Sequence, residues 1–154
     1  MVLTRGTGIM YQVFHEYQEF KGELPKRQAG VLIAHAASEA VAFALYNLQD
    51  RGEIFVHPQA VLYEGMIIGV NNKGNDLVVN ACKGKKLSNM RSSGADEAIQ
   101  LTPPREMTLE FALEFIEDDE LVEVTPKNVR LRKKYLTENE RKTVGRNASK
   151  QPSA

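Results

Sequence analysis

The sequence predicts an α+β fold, with a β-rich, mostly antiparallel body that carries two main helices and a short C-terminal helix. Three observations support this class. Short apolar runs alternate with Gly, Pro and Asn residues, which is typical of strands joined by tight turns. Two longer stretches place apolar residues at helical spacing behind residues that cap helices. The chain has 154 residues, of which 42% are hydrophobic and 26% charged, the balance of a globular domain with its own core.

The first third predicts two strands and one helix. Residues 8–17 have the pattern of an extended strand, and residues 31–34 that of a short one. Ser38 is placed to cap a helix, and Gly52 stands where a helix commonly ends in a glycine. The apolar residues of this helix recur at positions i, i+4 and i+7: Val41, Leu45 and Leu48.

The middle of the chain predicts β structure in four short apolar runs, at residues 54–56, 60–63, 66–70 and 76–82. The segment 72–75, Asn-Lys-Gly-Asn, lies between the last two runs. Because Gly and Asn tolerate the positive φ of tight turns, this segment predicts a hairpin connection.

A further strand, at residues 98–101, is predicted to end before Pro103 and Pro104. Thr108 then caps the second main helix. The apolar stripe predicted for this helix consists of Leu109, Ala112, Leu113 and Ile116.

The C-terminal region predicts a hairpin and a short helix. Residues 121–125 and 129–135 form its two strands. Thr137 and Glu140 match a capping box, which predicts the start of the final helix. Residues 145–154 are polar and predict a disordered tail.

The charge is balanced in total but not locally. Twenty basic side chains offset twenty acidic ones, which excludes a uniformly basic nucleic-acid binder but not a local cationic patch. Residues 83–95 hold four bases and no acid, residues 106–123 hold eight acids and no base, and residues 127–146 are again mainly basic. A neutral chain patterned in this way can present a cationic face.

The basic segment 83–94 is the predicted RNA-binding site. Four cations would neutralise phosphates: Lys83, Lys85, Lys86 and Arg91. Three small polar side chains would donate hydrogen bonds that fix register: Ser88, Asn89 and Ser92. The alternative is a surface loop that is cationic by chance.

A second set of RNA-binding candidates lies on the predicted hairpin: Arg130, Arg132, Lys133 and Lys134. The alternative for this set is cross-strand pairing with Glu123 and its neighbours. Residues 117–120 are all acidic and follow the second helix, where acids oppose the helix dipole. Arg130, Arg132 or Lys133 are therefore also the expected partners of these acids.

Nucleotide binding and catalysis are not predicted. Gly69 and Gly74 have the spacing of a phosphate-binding loop, but Asn75 and Asp76 follow where Lys and Ser/Thr are needed. The three histidines lie far apart and have no second ligand at i+3 or i+4: His15, His35 and His57. No constellation of nucleophile and base can be assembled. We therefore expect no catalytic residue, no metal and no cofactor in this chain.

The single cysteine, Cys82, cannot form an internal disulfide, which favours a reducing, cytoplasmic setting. The longest apolar runs are about five residues, against the ~18 that span a bilayer. We expect no membrane association.

Long stretches of the chain closely resemble the C-terminal part of the BipA/TypA family of bacterial translational GTPases. The matching strings are GVLI (30–33), AVAFALYNLQDRG (40–52), YEGMIIG (63–69), NDLVVN (75–80), KGKKLSNMRSSGADEA (83–98), MTLEFALEFIEDDELVEVTP (107–126) and LTENE (136–140). The resemblance runs almost without gaps from about residue 3 to residue 141.

The resemblance implies three regions: residues 1–27 as the end of a domain V like that of elongation factor G, residues 28–144 as the BipA/TypA C-terminal domain, and the tail. It also implies a fragment of a longer protein whose missing G domain would bind GTP and Mg²⁺. The implied partners of this module are the ribosome, large-subunit rRNA and the acceptor end of A-site tRNA. A monomer is expected, with roles in large-subunit assembly and stress adaptation.

A rival hypothesis is a protein-docking module. It would use the acidic face, residues 106–123, or an exposed sheet, to bind a basic protein partner. No catalysis is expected on either hypothesis.

Overall fold

The computed structural model describes residues 9, 11–19, 27–84 and 100–148. Seven strands and three helices lie in these ranges, in the order β1 (Val31–Ala34), β2 (Ser38–Glu39), α1 (Ala42–Gln49), β3 (Val61–Leu62), β4 (Met66–Val70), β5 (Leu77–Val79), α2 (Leu109–Phe115), β6 (Glu120–Val124), β7 (Val129–Lys133) and α3 (Glu138–Ala148).

A five-stranded sheet with the order β5-β1-β4-β7-β6 forms the body, and β2 pairs with β3 in a second, two-stranded sheet. Every pairing is antiparallel except that of β1 with β5, which is parallel. The α+β class and the β-rich, mostly antiparallel body are therefore confirmed.

The main sheet is buried on both faces. Leu32 and Ile68 belong to a core cluster that α1 and β3 cover, whereas Ile33 and Leu131 belong to a second cluster beneath α2. Because successive side chains of a strand point to opposite faces, a strand buried on both sides is apolar at every position. This explains why β1 reads as the continuous run VLIA, with all four residues buried.

The predicted hairpin at residues 72–75 is wrong. β5 does not pair with β4, because β1 lies between them and β5 runs parallel to β1. The connecting loop passes around the start of β1, where the Gly30 N–H donates to the Lys73 carbonyl and the Asn71 N–H donates to the Gly30 carbonyl, both at 2.8 Å. A Cβ on Gly30 would lie 2.2 Å from the Asn75 carbonyl, so this close approach requires glycine.

The predicted ends of the first helix are also wrong. Ser38 lies in β2, and α1 begins after Val41, whose side chain makes no capping hydrogen bond. Gly52 lies beyond the C-cap residue Asp50. A Cβ on Gly52 would lie only 1.7 Å from the Val70 carbonyl oxygen, so packing against β4, and not a left-handed helix end, requires this glycine.

The second helix has the predicted cap and half of the predicted buried stripe: Ala112 is fully buried and Ile116 packs against the same core cluster. The Phe111 N–H donates to the Thr108 hydroxyl at 3.2 Å, which confirms the cap. Phe111 and Phe115 pack edge-on against Phe55, whereas Leu109 and Leu113 of the predicted stripe are 42% and 59% exposed. Burying the two larger aromatic rings sets the rotation of the helix.

The C-terminal region contains the hairpin and the helix start that its local sequence predicts. The hairpin of β6 and β7 is confirmed, and so is the capping box, in which the Glu140 N–H donates to the Thr137 hydroxyl and the Thr137 N–H donates to the Glu140 carboxylate. However, α3 continues to Ala148, so residues 145–148 are helical and not part of a disordered tail. Residues 149–154 lie outside the described part.

Three predicted strands are not found where they can be checked. Residues 54–56 contribute only an isolated bridge between Ile54 and Gly69. Residues 9 and 11–19 form no strand, and Ile9 and Tyr11 are about nine-tenths exposed. Residues 100 and 101 are not in a strand either, and 98–99 lie outside the described ranges. No helix among the described residues is long and apolar enough to cross a membrane.

Candidate nucleic-acid interface

The basic segment leaves the fold directly after β5. The Asn80 side-chain oxygen accepts hydrogen bonds from the Cys82 N–H at 3.0 Å and from its thiol at 2.9 Å. The Ala81 carbonyl accepts from the Val41 N–H at 2.9 Å, which ties this exit to the start of α1. Lys83 follows, is exposed, and makes no ion pair with any described residue. The exit from the sheet is thus fixed by hydrogen bonds and carries a cation that no described acid neutralises.

The remaining predicted contacts of this segment lie outside the described ranges: Lys85, Lys86, Ser88, Asn89, Arg91 and Ser92. Their assignment as RNA contacts stays a prediction.

Two of the hairpin candidates have no ionic partner within the described part of the chain. Arg130 stands opposite Glu123 in the register of β6 and β7, but the Glu123 carboxylate accepts a 2.5 Å hydrogen bond from the Tyr63 hydroxyl instead. Burial and this bond to Glu123 raise the pKa of Tyr63 above its usual value, against the opposing charges of Arg132 and Arg130. The guanidinium of Arg132 bonds the Lys133 carbonyl. Both arginines are half-buried on the face opposite α2 and make no ion pair with any other described residue.

Lys133 requires a correction. Its side chain is only 2% exposed, and its Nζ lies 2.7 Å from an Asp76 oxygen, 2.8 Å from one of Asp119 and 3.0 Å from one of Glu120. Alternation along β7 turns Lys133, like Leu131, toward the α2 side of the sheet. Burial disfavours the charge, but the three carboxylates raise the pKa of Lys133 above its ordinary value. This ammonium group cannot reach a phosphate, so Lys133 is removed from the secondary set; Lys134 is exposed and stays in it.

A second cation, the half-buried Arg27, completes the same cluster. Arg27 forms a two-pronged contact with the Glu120 carboxylate, at 2.7 and 3.0 Å. It also donates to the Phe115 carbonyl at 3.0 Å, and its guanidinium lies over the Phe115 ring, 4.2 Å from the centroid. Burial opposes the charge, but Glu120 and Glu117 raise the pKa of Arg27 above its ordinary value. Glu117, Asp119 and Glu120 bring carboxylate oxygens within 4.8 Å of one another, and Arg27 and Lys133 neutralise them.

The expectation that the acids after α2 would find a partner on the hairpin is confirmed for Lys133. Arg27 and Asp76 are participants that the sequence did not reveal, because Arg27 is 93 residues from Glu120 along the chain. The one signal was the excess of acids at residues 117–120, which requires cations from elsewhere.

Comparison with a family model and with individual known proteins leads to the same family. Residues 29–138 match the family model described as the TypA/BipA C-terminal domain. The chain is 56% identical over 147 residues to the "Large ribosomal subunit assembly factor BipA" of Escherichia coli strain K12, a match that covers 95% of this chain and 24% of that protein. Proteins of the same name from Salmonella typhimurium strain LT2 and from Buchnera aphidicola subsp. Baizongia pistaciae are each 55% identical, over 95% and 94% of this chain.

The chain spans about a quarter of the length of these relatives, 24% in each case. The extent of the family match and the identity over nearly the whole chain agree on one assignment. The chain belongs to the TypA/BipA family, and residues 29–138 are its C-terminal domain.

Proposed function

We propose that this chain is the ribosome-binding, RNA-contacting module of a BipA/TypA-like translational GTPase and has no catalytic activity of its own. Its partners would be large-subunit rRNA and the acceptor end of A-site tRNA, in the cytoplasm, with the chain acting as a monomer. The name of its relatives, large ribosomal subunit assembly factor, supports the ribosome as the partner. Large-subunit assembly and stress adaptation would be the processes served, and GTP and Mg²⁺ would belong to a separate G domain.

The observation that carries this proposal is Lys83, which is exposed at a fixed exit from the sheet and makes no ion pair with any other described residue. The sequence continues from it through Lys85, Lys86 and Arg91 without an acid before residue 96. A phosphate backbone is the partner that such a density of cations with small polar neighbours suits. Arg27 and Lys133 hold the largest acidic cluster of the described residues, so those carboxylates are not free to neutralise the segment.

The hairpin would add a second contact. Arg130 and Arg132 have no ion pair among the described residues, and Lys134 is exposed. Arginine can bond a phosphate through two parallel N–H groups, so these residues would orient the module on RNA that the basic segment has attracted.

The test is salt-dependent binding of the purified chain to large ribosomal subunits. If four cations contact phosphates, the slope of log K against log salt concentration is about −3, at ~0.7–0.9 per phosphate. The double variant Lys85→Glu and Arg91→Glu should lose most of the binding. A control that makes the same change in charge, Lys127→Glu with Lys150→Glu, should keep it. A slope near zero, or equal losses in both double variants, would contradict the proposal.

The rival function, docking on a basic protein, has one observation in its favour. Leu109 and Leu113 are exposed on α2 next to the acidic residues Glu110 and Glu114. The two functions separate in a binding assay with deproteinised large-subunit rRNA and, in parallel, with the RNA-free mixture of ribosomal proteins. Binding to the rRNA supports the RNA-contacting function, and binding to the protein mixture alone supports docking.

A further inference from the structure

An open groove separates α1 from the edge strand β5. The helix runs antiparallel to the strand, because the Val41 N–H bonds the Ala81 carbonyl at one end and the Asn72 N–H bonds the Arg51 carbonyl at the other. The residues of the groove that matter here are Phe43, Asn47, Arg51, Leu77, Asn80 and Lys83. The groove therefore ends at the point where the basic segment leaves the sheet.

The described residues that line the groove carry only positive charge. None of them is acidic, and a cation stands at either end, Arg51 beside the start of β5 and Lys83 beyond its end. Both are exposed, and neither makes an ion pair within the described residues. The eight residues of α1 span about 12 Å at 1.5 Å per residue, which sets the scale of the separation between the two cations.

Between the cations the groove offers an aromatic ring and two amides. Phe43 and Asn47 are four residues apart and so share one face of the helix, and Arg51 follows in the turn just after its end. The Asn47 NH₂ group donates to the Phe43 carbonyl, which leaves its oxygen as an acceptor. The Asn80 oxygen accepts from Cys82, which leaves its NH₂ group as a donor. One free acceptor, one free donor and a half-buried ring match the edge and face of a nucleobase.

An extended peptide is a poorer occupant. β5 has three residues, and the Val79 carbonyl already accepts from the His35 N–H on the β1 side. By alternation only Val78 directs its backbone N–H and C=O to the open edge. A strand added there would gain the backbone bonds of a single residue, which is a weak template for pairing.

We propose that this groove binds a short stretch of single-stranded RNA, with phosphates at Arg51 and Lys83 and a base stacked on Phe43. This inference rests on the proposed RNA-binding function and assigns to it a second site, on the folded body. Single strands suit the groove because an unpaired base can leave its stack and lie against an aromatic ring.

The test uses the full 154-residue chain and a fluorescein-labelled single-stranded RNA octamer of mixed sequence, followed by anisotropy. Arg51→Gln and Phe43→Leu should each weaken binding about tenfold, the effect expected for loss of one stacked base or one charged contact. Tyr46→Leu changes an exposed ring of the same helix that does not line the groove, and Lys127→Gln removes a distant charge. Both controls should bind within twofold of the parent chain.

Cross-linking and peptide competition test the same groove without relying on the fold of a variant. Octamers carrying 5-iodouracil should cross-link to α1 of the parent chain under ultraviolet light, and peptide mapping should place the adduct at Phe43. This result does not depend on whether Phe43→Leu folds. The groove is refuted if Arg51→Gln binds the octamer like the parent chain, or if the adduct maps elsewhere. It is also refuted if an extended peptide displaces the RNA and pairs with β5.

The outcomes for the groove and for the proposed function are distinguishable. If the groove variants lose the octamer but still bind large subunits through the basic segment, both proposals stand. If the groove variants are unaffected while Lys85→Glu with Arg91→Glu loses all RNA binding, the groove fails and the proposed function survives. If the parent chain binds neither the octamer nor large subunits, the proposed function fails.

Discussion

Replacing Lys133 by Met tests whether its charge stabilises the fold by neutralising buried acids. The substitution keeps most of the side-chain volume but leaves the Asp76, Asp119 and Glu120 carboxylates without the ammonium group that lies 2.7–3.0 Å from them. Removing one partner of a buried ion pair costs about 3–5 kcal/mol. Asp119 and Asp76 are 57% and 39% exposed and keep much of their hydration, whereas Glu120 is fully buried.

The expected loss in the free energy of unfolding is therefore at the lower end, about 3 kcal/mol. For a chain of this length that corresponds to a fall of about 6–12 °C in the unfolding midpoint. Circular dichroism with heat and with urea measures both quantities. The matched control is Lys134→Met, at the exposed neighbouring position, which should change stability by no more than about 0.5 kcal/mol.

The pH dependence of stability tests the same stabilisation by Lys133 independently. The carboxylates raise the pKa of Lys133 in the folded state above the ordinary 10.5. The stabilisation is therefore fully present below pH 10.5 and is lost as the pH rises through the folded-state pKa. The difference in stability between the parent chain and Lys133→Met should accordingly shrink in strongly alkaline buffer. If Lys133→Met is as stable as the parent chain at pH 7, or if the difference stays constant in alkali, the charge of Lys133 does not stabilise the fold.

Three other predictions concern stability and use the same unfolding assay. Thr108→Ala removes the cap of α2 and should cost about 1 kcal/mol, whereas an unchanged midpoint would show that the 3.2 Å bond to the Phe111 N–H contributes nothing. Gly52→Ala should lower the unfolding midpoint by several degrees because its Cβ would lie 1.7 Å from the Val70 carbonyl oxygen. The control Gly84→Ala, whose Cβ would have nothing within 4 Å, should leave the midpoint unchanged. Equal midpoints for the two variants would contradict the close packing. Arg27→Gln should cost about 3 kcal/mol because Glu120 loses its bidentate contact. This loss should persist in alkali, where that of Lys133→Met fades, since Glu120 and Glu117 raise the pKa of Arg27 above its ordinary value in the folded state.

Features coded by neighbouring residues were predictable from the sequence. The Thr108 cap, the capping box of Thr137 and Glu140, and the hairpin of β6 and β7 each depend on residues that lie close together in the chain. Their signals are side-chain hydrogen bonds and turn residues, which act over three or four positions.

Features set by distant packing were not predictable. The loop 72–75 has the residues of a hairpin turn, yet β1 inserts between the strands that it joins, because a strand apolar on both faces gains most in the middle of a sheet. The side of the sheet that Lys133 faces depends on strand register, and the partnership of Arg27 with Glu120 depends on the whole tertiary fold. Composition could place a cation in the candidate site but could not tell an exposed one from a buried one.

The contacts of Arg27 also determine how the domain bears a mechanical load. A pull on the chain ahead of Arg27 first strains the guanidinium held by Glu120 and by the Phe115 carbonyl. Arg27 also donates to the Ala29 carbonyl. The force then passes into β1, which begins two residues later and has a strand on either side. Several backbone hydrogen bonds would then have to break at the same time, in shear. We therefore expect this attachment point to resist a pulling force better than one whose hydrogen bonds break one after another.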